Sequence, residues 1–150
     1  MRATGVLTLR IAGPFVVLAL ALLFPMFWRP AQADTSANQG YYTRSQADAG
    51  KDVFQKVCAI CHGNRLQGGA GPALAGKQFL SVSQFQEVTA AYFYHFMSTH
   101  MPLTNPGSLS QTQYLNIMAY FLESNGYAAG SHPLTANDEE LKAIKIEPQH

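Results

Sequence analysis

The chain of 150 residues holds two cysteines, Cys58 and Cys61, and with only two residues between them they can tie no distant segments together. A disulfide framework is therefore excluded as the source of stability. The first 33 residues read as an export signal: Arg2 and Arg10 open it, an apolar run of 18 residues extends from Ile11 to Trp28, and Ala31-Gln32-Ala33 forms a small-residue cleavage box. The competing reading is an uncleaved membrane anchor, since 18 apolar residues just reach across a bilayer. The A-x-A box and the polar stretch after it favour cleavage before Asp34. The 117 residues left form a modest core, and domains of that size often need a further staple such as a metal or cofactor.

Cleavage leaves seven Lys and Arg against nine Asp and Glu, a net charge of −2. Lys51, Lys56, Lys77, Lys142 and Lys145 are scattered, so no basic patch for DNA or RNA is present. Residues 34–42 (DTSANQGYY) read as a flexible arm. A capping box at Thr43 and Gln46 then starts a helix of about four turns, with Ala47, Gly50, Val53, Phe54 and Val57 at helical spacing up to Cys58. Gly63, Gly68, Gly69, Gly71 and Gly76, with Pro72, predict a loop.

The next helix is expected to start at Ser83 with Gln86, to present Phe85, Val88, Tyr92, Phe93 and Phe96, and to stop before Pro102. Asn105-Pro106-Gly107 marks a turn, and Ser110 with Gln113 caps a third helix carrying Tyr114, Ile117, Met118 and Phe121, closed by Gly126. Asn137 and Glu140 repeat the device ahead of a short helix with Leu141 and Ile144 as its apolar contacts. No strand alternation or fixed-period repeat occurs, which predicts an all-α fold with long loops.

Chemistry concentrates at Cys58-Ala59-Ile60-Cys61-His62, the C-x-x-C-H pattern of c-type haem attachment. One turn of chain separates the thiols, so both can add to the vinyl groups on one side of a porphyrin while the adjacent imidazole reaches the iron. A redox disulfide would be expected on a βαβ pattern, which is absent, and a four-ligand zinc site would need further Cys or His at tight spacing, for which His95 and His100 are the only nearby candidates. Haem c, one and covalent, is the cofactor this predicts.

Gly50, Phe54, C-A-I-C-H-G at 58–63, G-P-A-L-A-G at 71–76, Met101-Pro102 and A-Y-F-L at 119–122 together resemble a small monohaem cytochrome c of the class I type. The resemblance spans about residues 41–130 and implies the cytochrome c fold with a six-coordinate iron. It divides the chain into the signal, the arm, a cytochrome c domain over 43–126 and a C-terminal extension over 127–150. The run M-P-x-x-x-P-G-S-L-S at 101–110 and the ending N-G-Y-A-A-G are further similar to cytochrome c components that serve bacterial periplasmic dehydrogenases.

For the second axial ligand, the resemblance selects Met101, since the family's ligand sits in a loop before the last helix and is often followed by Pro. Pro102 also keeps Met101 out of helical geometry. His100 is the rival and would give a bis-His haem of lower potential. Met97, Met118 and His95 are the remaining candidates, the two methionines reading as core. The resemblance further implies that the Pro72 carbonyl accepts the other ring N–H of His62 and that Leu74 packs on the haem face. Tyr92, Tyr94, Tyr114, Tyr120 and Arg65 are possible partners for the haem propionates, although aromatic residues at helical spacing usually belong to the core.

The expected function is a periplasmic one-electron carrier, not an enzyme, that docks redox partners such as a dehydrogenase, an oxidase or another cytochrome. Ala59, Ile60, Gly69 and Ala70 are expected to border the docking surface. A second reading makes the chain the haem-bearing subunit of a quinoprotein or related dehydrogenase complex, with the extension clasping its partner or covering the core. Gas binding or peroxidase action at an open iron is the third. The four-helix-bundle cytochromes of that kind carry C-x-x-C-H near the C-terminus, whereas here it lies near the start of the exported chain.

Overall fold

A computed structural model of the protein describes residues 40–149. The expected signal over 1–33 and most of the arm expected over 34–42 lie outside the described residues. Those described form helices α1 (Arg44–Val57), α2 (Ala59–His62), α3 (Lys77–Phe85), α4 (Ala90–His100), α5 (Gln111–Ser124) and α6 (Asp138–Ala143). Among them the β pairing is confined to an isolated bridge between Thr89 and Lys145, so the fold is all-α.

Helix α1 begins where its sequence demands. The Thr43 side chain accepts from the Gln46 amide and the Gln46 side chain accepts in return from the Thr43 amide, which satisfies two otherwise orphaned donors. Its buried face is Ala47, Gly50 and Phe54, and this face packs on α5. Gly50 makes the crossing possible, because a Cβ there would stand 1.8 Å from the Asn116 carbonyl oxygen. Across the same contact Phe54 meets Tyr120 edge to face, with ring centroids 5.5 Å apart. Helix α5 carries a second complete capping box at Ser110 and Gln113, and its residues 117–122 are buried without a break. Gly126, at φ 87°, follows its last turn in the left-handed conformation.

The helix expected from Ser83 is not found. Two helices occupy the region, α3 starting after Gly76 and α4 capped by Thr89, whose side chain accepts from the Tyr92 amide. Ser83 is buried inside α3, and Glu87, at φ 53°, breaks the helical path. The Ser-x-x-Gln pattern therefore falls inside a helix whose position is decided by burial of Leu80 and Ser83. Asn137 caps α6 by accepting from Glu139 and Glu140, but Glu140 does not complete the box. Its carboxylate accepts from the Thr135 hydroxyl instead.

The segment after Gly126 covers the core of its own chain. Tyr127, Leu134, Leu141, Ile144 and Ile146 are buried, and backbone bonds from Ala90 to Ile144 and from Ile146 to Val88 lay the tail along the start of α4. Order begins before Thr43: Tyr42 is buried, its hydroxyl donates to the Tyr127 carbonyl at 2.7 Å, and the Tyr41 amide bonds Ala128.

Candidate functional site

Helix α1 ends at Val57, and the chain turns through Cys58 into the single turn of α2, with the amides of Cys61 and His62 both donating to the Cys58 carbonyl at 3.1 and 3.0 Å. This turn borders a cavity of about 630 Å³ lined by Cys58, Cys61 and His62. The volume falls in the range of roughly 300–1,000 Å³ usual for cofactor sites. Phe54, Phe93, Ile117, Met118 and Phe121 supply an apolar wall from α1, α4 and α5, and among the described residues no Lys, Arg, Asp or Glu lines the cavity.

Both thiols are free. Burial, with a smaller push from Cys61, raises the Cys58 thiol to about 11, the reverse of the lowered value a redox-active Cys-x-x-Cys requires. The loop after His62 folds back over α2: the Gly71 amide bonds the Cys61 carbonyl at 2.8 Å, the Gly68 amide bonds that of His62 at 2.8 Å, and buried Leu66 anchors the loop. Pro72 is thereby set beside the imidazole, and His62 Nδ1 donates to its carbonyl at 2.8 Å. A carbonyl only accepts, so the proton sits on Nδ1 and Nε2 keeps the lone pair a metal needs. A Cβ on Gly71 would lie 2.9 Å from His62 Cε1, so the imidazole occupies space that only glycine leaves.

Met101 lines the same cavity from the other loop. It is extended, at φ −122° and ψ 153°, and ends α4 where Pro102 forbids continuation. His100 does not line this cavity. Its ring stacks on Phe96 at 4.8 Å and lines a separate groove of about 490 Å³ on α4, together with His95 and Lys142. His95 bonds Asp138 at 2.7 Å. Leu74, Met97 and Met118 line the cavity while packing on the core.

Among the residues suggested for propionates, Tyr92 lines the cavity, whereas Tyr94, Tyr114, Tyr120 and Arg65 do not. The docking border also changes in one member: Ala59 is buried, while Ile60 (88 % exposed), Gly69 and Ala70 stand outward. The sequence reading missed Leu103 and Thr104, which complete the cavity rim, and the bond from Tyr114 to the Met101 backbone. No local pattern announces these, because the partners come from different segments. Two thiols a turn apart, an imidazole with Nε2 available, a thioether and an apolar cavity are a donor set that fits a covalently attached haem.

The family model described as cytochrome C oxidase, cbb3-type, subunit III, matches residues 45–121. A cytochrome c-553-like protein of Synechocystis sp. is 39 % identical over 61 residues, which cover 41 % of this chain and 53 % of that protein. The chain thus matches about half the length of this relative. Among solved structures, the sulfane dehydrogenase SoxCD from Paracoccus pantotrophus superposes with a TM-score of 0.55 at 20 % identity, over 93 % of this chain and 67 % of that one. The similarity to SoxCD is one of fold.

Proposed function

The chain belongs to the cytochrome c family described by the cbb3-type subunit III model, and on that premise we propose that it is an exported one-electron carrier with a single covalent haem c. Cys58 and Cys61 would hold the haem by thioethers, and His62 and Met101 would ligate its iron. The observation that carries this reading is that all four side chains line one cavity whose walls are otherwise mainly apolar. When bound, the haem supplies an iron that gains and loses one electron. The protein's part is to hold that iron still and nearly dry.

His62 is oriented by the Pro72 carbonyl, which also raises its basicity as a ligand. With Met101 and His62 both as ligands, a bound haem would have a raised potential and would keep no position open for substrate. Exposed Ile60 and Leu103, at the rim of the cavity, form an apolar border for brief docking of a redox partner such as a periplasmic dehydrogenase, an oxidase or another cytochrome. The extension packs on its own core, which favours the free carrier over a subunit whose extension clasps a larger partner. No described helix is long and apolar enough to cross a membrane.

The test is spectroscopic. Haem absorbance that stays with the chain after denaturation, a weak far-red sulfur-to-iron band in the ferric protein, and no carbon monoxide binding by the native ferrous protein are expected. Haem that extracts freely, or a ferric spectrum with bis-His signatures, sinks the assignment.

A further inference from the structure

Tyr114 stands on the first turn of α5, its ring buried at 3 % exposure. Its hydroxyl donates to the Met101 carbonyl at 2.6 Å and accepts from the Leu109 amide at 3.5 Å. The same carbonyl accepts from the Gly107 amide at 3.3 Å. One hydroxyl thus joins the start of the 101–109 loop to its end, while residues 103–108 between them are exposed. Apart from the Gly107 bond, the loop's backbone bond within itself is the one from Asn105 to Pro102, at 2.9 Å. A buried tyrosine hydroxyl needs a partner, and here the partner is the backbone of the residue proposed to ligate the iron.

We infer that Tyr114 is a positioning residue for the sixth ligand, a latch that holds the Met101 backbone against α5 so that the thioether stays on the iron. The inference rests on the reading of Met101 as ligand. With the latch open, the Met101 carbonyl loses its side-chain bond to α5 and the thioether leaves more often. An added ligand then competes in proportion to the fraction of protein in which Met101 is off.

The experiment titrates the ferric holoprotein with imidazole, following loss of the far-red band, in wild type, Tyr114→Phe and Tyr42→Phe. The Tyr42 variant is a matched control, because it deletes another buried hydroxyl-to-carbonyl bond, at 2.7 Å, away from the cavity. Denaturant midpoints are measured for all three. Tyr114→Phe is expected to keep the band and bind imidazole about five- to tenfold more tightly, the ratio one hydrogen bond is worth, while Tyr42→Phe binds it as wild type does. Equal imidazole affinity in wild type and Tyr114→Phe, with the band present in both, overturns the latch and leaves Met101 as ligand. Equal gains in both variants also overturn it, by showing a general effect of stability. Absence of the band in wild type overturns the ligand assignment and the latch with it.

Discussion

The two loops that border the cavity are held in different ways. The loop after His62 is tied to α2 through backbone bonds from Gly68 and Gly71, through the His62–Pro72 bond and through buried Leu66. The loop after Met101 leaves residues 103–108 exposed and is held by packing of Leu109 on the core and by one tyrosine hydroxyl that bonds the Met101 carbonyl. Backbone bonds into a helical turn that carries Cys61 and is capped by Cys58 make the histidine side a rigid base. A mostly exposed loop with so few ties opens at lower cost. Ligand exchange at the iron is therefore expected on the Met101 side.

Met101→Ala should break this contrast most severely. It removes the thioether outright, so the far-red band disappears, the potential falls and imidazole binds more tightly than in Tyr114→Phe. Retention of the band would reject the asymmetry together with the ligand. Gly71→Ala probes the rigid side. The added methyl meets the imidazole at 2.9 Å, and overpacking of this kind costs about 1–3 kcal/mol, read as a lower denaturant midpoint with haem still covalently attached. A midpoint equal to wild type would show that the His62 loop yields more easily than its bonds suggest.

The smallest effect concerns α4, which leads into Met101. Asp138 is hydrogen-bonded first by Lys142 and next by His95, and these bonds hold its carboxyl below the ordinary 3.8. A carboxylate lowered in the folded state contributes stability that is present above its unfolded value and is lost as pH falls through the folded one. The tie between α4 and α6 should accordingly weaken only below about pH 4. Asp138→Asn should remove that acid-dependent component from midpoints measured against pH, and an unchanged profile would assign it to other carboxylates.

Much of the architecture was legible residue by residue. The boxes at Thr43–Gln46 and Ser110–Gln113 formed as their spacing required, since both partners of each lie within one turn. Pro102 ended α4 for a reason internal to one residue. The same logic misplaced a helix start at Ser83, where an equally good local pattern lost to burial of the residue itself. Tyr114 was legible only as an aromatic on an apolar face, because its hydroxyl partner lies 13 residues earlier across an exposed loop.

What the sequence by itself determined was the turn from Cys58 to His62, the loop that follows it and the all-α class, because cysteine spacing, proline, glycine and capping act over a few residues. Tertiary structure decided which side chains share the cavity. It set His100 into the outer groove and Met101 into the cavity, buried Ala59 beside exposed Ile60, and gave the Met101 carbonyl its partner on α5. Those outcomes depend on how separate helices pack, which no local spacing encodes.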